Sequence, residues 1–253
     1  MTTEVTVKPT TEISTELIDL FSADSGAGME NMGVDDLAIP FIAILQSLSP
    51  QCKKSDSKWI KGAEEGMIHN TLTDELTDGD TGILVVPCAY TRVQLQWKPR
   101  NAGGGLVARH TLDDPIIKTA LENRLPNGNN LEETAEYYVL VLKADGNAER
   151  AIVSMSRTQL KAARKFNALI AGLKVKSSAG KVFTPAMYSH MYRLRSIAQE
   201  NGLGGWYGWS IALEGPIADR DLYQAAKEFS EAVRKGEVKA EIKVEDSSED
   251  VPF

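Results

Sequence analysis

The sequence is poor in the residues on which enzymes and metal sites most often depend. Among 253 residues, only two are cysteine and three are histidine. Cys52 and Cys88 lie far apart and outside any Cys-x-x-Cys pattern, so neither a disulfide framework nor a zinc site is expected. The three histidines show no metal-ligand spacing either. The sequence therefore predicts a protein without a bound metal or cofactor.

Motifs of catalysis and of membrane insertion are also missing. The sequence has no Gly-x-x-x-x-Gly-Lys-Ser/Thr loop, no Gly-x-Gly-x-x-Gly turn after a strand and no Gly-x-Ser-x-Gly elbow. No apolar run comes near the roughly 18 residues of a membrane span, and the N-terminus lacks the apolar core of a secretory signal. We therefore expect a non-enzymatic protein of a reducing cytoplasm, with no membrane partner.

What the sequence does contain is an uneven distribution of charge. The net charge is −7, but residues 1–40 carry eight acids and one lysine, and residues 241–253 carry five acids and one lysine. Residues 151–210, by contrast, hold nine lysines and arginines and a single acid. A basic segment of this density attracts phosphate backbones, whereas any single basic residue is more often just solvated surface. The acidic ends can compete for the same surface.

Composition divides the chain into three parts. Residues 1–36 are predicted to be a largely disordered acidic segment, with a short helix at 14–21 capped by Ser14. Residues 37–238 form the folded domain, and 239–253 are an acidic tail. Within the domain, 83–97 is predicted as a long strand in which Pro87 indicates a bulge or a sheet edge.

Two hairpins and two helices are predicted in the rest of the domain. The hairpins pair 137–143 with 150–155 and 187–199 with 206–213, although the arm at 187–199 is also compatible with a helix. Helices are expected at 156–173, with Ser156 and Gln159 as a capping box, and at 221–236. Residues 98–136 are interpreted as a long polar insertion with a short helix near 114–124. These elements predict an α+β domain around an oligonucleotide-binding (OB-like) β-barrel.

Aromatic and basic residues are interleaved in the second half of the chain and around Trp97. Single-stranded nucleic acid requires this mixture, because rings stack on bases while cations contact phosphates. Because alternate residues of a strand point to opposite faces, only half of the side chains on each strand of the 187–213 hairpin can face DNA. About half of the rings are therefore expected in the core. The loop at 97–105, WKPRNAGGG, is either a clamp on a DNA backbone or a flexible connection with a basic tip. The predicted DNA-binding residues are Arg92, Trp97, Lys98, Arg100, Arg157, Lys161, Arg164, Lys165, Tyr192, Arg193, Arg195, Trp206 and Trp209.

The last nine residues, EDSSEDVPF, combine an acidic run with an apolar tip. This tip resembles the C-terminal tip of bacterial single-stranded-DNA-binding proteins, which recruits replication and repair partners. The resemblance implies docking of a partner protein by a phenyl ring and a carboxylate. The alternative is a solvated tail that ends on these residues by chance. The predicted partner-binding residues are Glu249, Asp250, Val251, Pro252 and Phe253.

Four blocks in the first part of the chain resemble a family of tailed-bacteriophage proteins. They are GMENMGVDDLAIPFIAILQSLSPQ (28–51), GAEEGMIHNTLT (62–73), GILVVPCAY (82–90) and WKPRNAGGG (97–105). Together with the tail, the resemblance implies a phage single-stranded-DNA-binding protein of the host cytoplasm that acts in replication, recombination and repair. One departure is the short segment between the last helix and the tip, where the bacterial proteins have a long linker. Two alternatives remain: a strand-annealing recombination mediator, which would form rings, and a virion or assembly protein. A homo-oligomer is compatible with the sequence in each case.

Overall fold

The computed structural model describes residues 13–31, 38–202 and 204–238. The chain divides into two units, Met1–Leu37 and Ala38–Phe253. The first unit contains α1 (Thr15–Ala23), whose N-cap Ser14 accepts a hydrogen bond from the Leu17 amide at 3.3 Å. The helix predicted at 14–21 is therefore confirmed. The tail at 239–253, with its predicted docking tip, lies outside the described residues.

The second unit is an α+β domain built on a curled half-barrel sheet of nine strands, with α2 (Leu160–Gly172) and α3 (Arg220–Lys235) packed on it. None of the helices in the described ranges is long and apolar enough to cross a membrane. A separate short hairpin joins β8 (Val175–Lys176) to β9 (Val182–Phe183). The strands of the large sheet are β1 (Phe41–Ile44), β2 (Ile68–Asn70), β3 (Leu76–Thr77), β4 (Ile83–Trp97), β5 (Leu106–Thr111), β6 (Asn130–Leu142), β7 (Ala148–Ser156), β10 (His190–Asn201) and β11 (Gly204–Pro216).

β4 organises this sheet, whose order is β11-β10-β4-β6-β7-β1-β2-β3 with β5 beside β4. One side of β4 pairs with β6 along most of its length. The other side pairs first with β10 and then, further along, with β5. Pro87 falls between these two partners, where its missing N–H costs no ladder hydrogen bond. The register shifts between Pro87 and Ala89, so the predicted bulge is confirmed, although β4 is not an edge strand.

Both predicted hairpins are confirmed as β6–β7 and β10–β11. The interpretation of 98–136 as a polar insertion is wrong in two respects. The segment contains β5 and the first half of β6, and in place of the helix predicted near 114–124 it has a 3-10 turn at Pro115–Thr119. β5 carries a weak alternation of its own and exists because β4 supplies a long partner strand.

The inner face of the sheet packs against α2. Phe166 is fully buried, with its ring 4.7 Å from the ring of Tyr137 and 5.0 Å from that of Tyr192. The Tyr137 hydroxyl lies 2.9 Å from the carbonyl of Ala163 and 2.8 Å from Asn167 Oδ1, so helix and sheet are joined by polar as well as apolar contacts. The helix predicted at 156–173 is therefore confirmed over Leu160–Gly172, with Ala163 and Phe166 on its buried side.

α3 packs on the other face of the sheet, since Tyr138 points away from its neighbour Tyr137. The ring of Phe229 lies 6.3 Å from that of Tyr138, and the Arg150 guanidinium lies 5.2 Å over Phe229. The predicted ends of α3 are confirmed. Asp219 caps the N-terminus, and Gly236 ends the helix with a left-handed φ of 77°.

Two glutamine side chains cover the outer edge of β11, which has no strand partner on that side in the described chain. Gln46 donates to the Tyr207 carbonyl at 3.0 Å and accepts from the Tyr207 amide at 2.9 Å. Gln159 donates to the same carbonyl at 3.1 Å and accepts from the Trp209 amide at 3.0 Å. The predicted capping box is thus wrong: Ser156 makes no side-chain cap, and Gln159 is used on β11.

We expect these two glutamines to stabilise the half-barrel jointly. Replacing Gln46 or Gln159 by alanine should each lower the free energy of unfolding by about 1–2 kcal/mol, because backbone groups of β11 lose their partner. The double variant should lose more than the sum, because only then is the Tyr207 carbonyl left without either donor. Urea unfolding of the single and double variants measures this coupling.

Gln224 provides the matched control, since it is exposed on α3 and its side-chain amide donates to Glu228, four residues further along the same helix. Its replacement by alanine should change the free energy of unfolding by less than about 0.5 kcal/mol. Equal losses at Gln46, Gln159 and Gln224 would show that the edge contacts on β11 contribute nothing specific.

Candidate nucleic-acid interface

The exposed face of α2 is basic. Lys161, Arg164 and Lys165 lie on the side of the helix that turns away from buried Ala163 and Phe166. None of the three forms an ion pair with another described residue. Arg164 lies on the same flank as Leu160 and Asn167, and Asn167 contacts Tyr137 of β6. Arg164 therefore borders the inner face of the sheet, while Lys161 and Lys165 face solvent.

A cleft of about 1070 Å³ opens beside the first turn of α2. It brings together Trp97 and Lys98, at the end of β4, with Arg157 and Leu160, where the chain leaves β7 for α2. These are two of the regions predicted from sequence as DNA contacts, and they meet although many residues separate them in the chain. The remaining wall comes largely from the 122–133 segment, including Asn123 and Asn130.

Carboxylates in the same cleft were not anticipated. Glu122, Glu132 and Glu133 line it, and they outnumber the cations Lys98 and Arg157. Two of them are already paired: Arg157 binds Glu132, and Arg92, on the neighbouring strand, binds Glu133. Sequence reasoning missed these acids because they lie in the segment interpreted as an insertion. The cleft is therefore polar and mixed in charge, unlike the face of α2.

The Trp97 loop is a tight hairpin between β4 and β5. Gly103, Gly104 and Gly105 all have positive φ, and the Lys98 amide donates to the Gly105 carbonyl at 2.9 Å. The indole N–H of Trp97 is buried without a hydrogen-bond partner among the described residues, as is the Gln94 side-chain oxygen. Lys98 is exposed, and the side chain of Arg100 lies outside those described.

Tyr90 is a candidate that the sequence reasoning did not single out. Its side chain is 37% exposed, and its ring lies 5.1 Å from that of Tyr137. It shares the inner face of β4 with Arg92 and Gln94, since alternate residues of a strand point the same way. The polar alternation Tyr-x-Arg-x-Gln at 90–94 is the signal that would have identified this row.

Tyr192 and Trp209 are in the hydrophobic core, where neither ring offers a surface for a base. Tyr192 is 0% exposed and Trp209 is 4% exposed. Burial also raises the pKa of Tyr192 to about 12. The prediction that these two residues contact DNA therefore has no support in this conformation. The expectation that about half of the rings would be core explains both.

Arg193, Arg195 and Trp206 lie on the opposite face of β10–β11 from the core residues. Arg193 pairs with Glu214 at 3.4 Å, whereas Arg195 is exposed. The β10–β11 register is regular through Gly208, so Trp206 and Trp209 point to opposite sides of the sheet. Trp206 lines a separate cleft of about 520 Å³. The aromatic and basic residues of this hairpin are thus divided between two sides of the sheet, as strand alternation predicted.

Side chains that bind metal ions are not clustered in the described part of the chain. Within 13–31, 38–202 and 204–238, no group of three or more histidine, cysteine, aspartate or glutamate side chains is placed to hold a metal ion. The predicted partner-binding residues, Glu249 to Phe253, lie outside the described chain.

Comparison with known proteins gives one finding. No curated protein and no solved structure matches the chain significantly. The family model of the Pam3 phage gp34-like proteins matches residues 12–239, which is most of the sequence. The expectation of a phage protein is thereby confirmed: the chain belongs to the Pam3 phage gp34-like protein family.

Proposed function

We propose that this protein binds single-stranded DNA without sequence readout. The proposed contact surface, named here the α2–Trp97 surface, consists of the basic face of α2, the cleft beside its first turn, and Tyr90 on β4. Its members are Tyr90, Trp97, Lys98, Arg157, Lys161, Arg164 and Lys165. The observation that carries the proposal is a set of exposed cations on α2, without an ion pair among the described residues, on the helix whose first residue, Leu160, lines a cleft with the Trp97 indole ring.

Cations without a carboxylate partner contribute most to phosphate binding. Lys161, Arg164 and Lys165 have no described ion pair to break, so a phosphate there releases counterions at no internal cost. Arg92 and Arg157 must first leave Glu133 and Glu132. Stacking of a base on an exposed or accessible ring adds about 1–3 kcal/mol, which exceeds the net worth of a surface ion pair. The α2 face would therefore anchor the backbone, and the cleft would select an unstacked base.

The wider role is proposed on the same basis. A curled half-barrel that carries Tyr90, Arg92 and Gln94 in one row on its inner face fits an oligonucleotide-binding barrel, which we propose as the finer description of this fold. Membership of a phage family supports a phage setting. Within it, the proposed role is in phage DNA replication, recombination and repair in the host cytoplasm. Recruitment of replication proteins through 249–253 stays a prediction.

The first test removes the free charge on α2. Replacing Lys161, Arg164 and Lys165 together by alanine should weaken binding to labelled oligothymidylate at least about tenfold at low salt, because three phosphate contacts are lost. The slope of log affinity against log salt should flatten by about 2, which is roughly 0.7 for each contact. Fluorescence anisotropy over a salt series measures both quantities.

The matched control carries the same charge change on α3. Arg220, Arg234 and Lys235 are exposed there, on the opposite face of the sheet from α2, and their replacement by alanine should leave binding and slope unchanged. If both triple variants lose affinity equally, attraction is only a matter of net charge, and the assigned surface is wrong. Equal affinity for duplex and single strand would contradict the proposed function itself.

A second test concerns the ring in the cleft. Trp97→Phe should remove much of the fluorescence quenching that DNA causes and lower affinity, because a smaller ring stacks less well. Trp209→Phe is the control, since its ring is buried in the core and should affect the melting temperature rather than DNA binding. Melting curves of both variants separate stability from affinity. Unaltered quenching in Trp97→Phe would exclude stacking at this position.

A further inference from the structure

We propose that the Glu132 carboxylate acts as an internal phosphate mimic. It pairs with Arg157 at the cleft until a DNA phosphate takes its place. This inference rests on the proposed function and specifies its regulation at the same site. Arg157 would be a phosphate ligand in the complex, and Glu132 its partner in the free protein. The free protein would thereby carry a built-in competitor for one DNA contact.

The ion pair joins two side chains of very different exposure. The Arg157 side chain is 76% exposed, while that of Glu132 is 15% exposed. Arg157 therefore reaches from the surface back to a carboxylate anchored on β6, and both residues line the cleft with Trp97 and Lys98. A guanidinium that is mostly in solvent is free to turn to another anion. A carboxylate held on a strand stays where it is.

Backbone conformation gives independent support for a functional role. Arg157 has a φ of 51°, in the left-handed region that a residue with a Cβ adopts at a cost. Among the described residues, four non-glycine residues have positive φ, and three of them line this cleft: Glu122, Asn123 and Arg157. Strained residues of this kind persist where the surrounding structure uses them, most often at binding sites.

The chemistry of exchange is simple. Carboxylate and phosphate oxygens both accept from the guanidinium fork in the same geometry, so one anion can take the place of the other. The pair Arg92–Glu133 repeats the arrangement on the adjoining strands. When a phosphate displaces Glu132, DNA releases a counterion, but the freed carboxylate attracts one. Contacts made by exchange therefore contribute little to the salt dependence, whereas contacts made by unpaired lysines contribute fully.

Glu132→Gln tests this directly, since it keeps the shape of the side chain and removes its charge. Affinity for labelled oligothymidylate should rise about two- to fivefold at low salt, because the competitor is gone. The salt slope should also steepen by about 0.7, because the Arg157 contact now releases a counterion without compensation. A purely structural role for Glu132 would lower the melting temperature and leave the slope unchanged, which would overturn the proposal.

Arg157→Gly completes the cycle. Glycine adopts the positive φ without cost, so the melting temperature should stay at or above that of the wild type while DNA affinity falls. In this background Glu132→Gln should no longer steepen the salt slope, because the guanidinium that gains from it is absent. A steeper slope in the double variant would show that Glu132 acts by general repulsion and not through Arg157.

Glu149→Gln is the matched control. Glu149 pairs with Lys143 at 3.2 Å at the far end of the same β6–β7 hairpin, away from the cleft. It carries the same charge change and should leave affinity and slope as in the wild type; a gain equal to that of Glu132→Gln would overturn the proposal. The wild-type protein separates the two levels of inference. If the wild-type protein does not bind single-stranded DNA, the proposed function is wrong. If it binds, but Glu132→Gln has the affinity and salt slope of the wild type, only the proposed exchange at Arg157 is wrong.

Discussion

The arrangement of the whole domain depends on how the outer edge of β11 is satisfied. An open strand edge exposes amides and carbonyls that must find partners, and a tenth strand would be the usual solution. Here two glutamine amides, from Gln46 and Gln159, supply donor and acceptor to Tyr207 and Trp209 instead. The sheet therefore ends at β11 as a half-barrel, and α2, which begins one residue after Gln159, packs on its inner face.

The same contact positions the candidate site. Gln159 is bound to β11, Leu160 begins α2, and Arg157 comes two residues before Gln159 in the turn that leaves β7. The turn is thus held from both ends, by the β6–β7 ladder and by the edge of β11. This explains how Arg157 can stay in a left-handed conformation: the segment is fixed by bonds on either side of it. The edge contact on β11 and the orientation of Arg157, a candidate DNA ligand, therefore both depend on the segment Arg157–Gln159.

Local signals in the sequence were sufficient for several of the elements, and for little beyond them. The Pro87 bulge, the two hairpins and the ends of α3 each depend on a few neighbouring residues, and each was predictable. β5 was not, because its strand is stabilised by pairing with β4 and not by its own pattern. Nor was the role of Gln159, since a capping residue and an edge contact look identical in sequence. Tyr192 and Trp209 show the same limit: strand alternation states that two faces exist, but only packing against Phe166 and its neighbours decides which face is core.

The charge pattern shows most clearly what a sequence count leaves out. Counting residues gives 151–210 a large positive charge, and every cation in it has the same weight. In the folded chain these cations differ, because Arg157 and Arg193 have carboxylate partners on other strands, whereas Lys161, Arg164 and Lys165 have none in the described chain. A cation with a partner can bind phosphate only by exchange, and one without a partner binds at no internal cost. In the proposed function, the affinity of the surface would therefore depend mainly on Lys161, Arg164 and Lys165, while the paired cations would determine how strongly the cleft resists DNA.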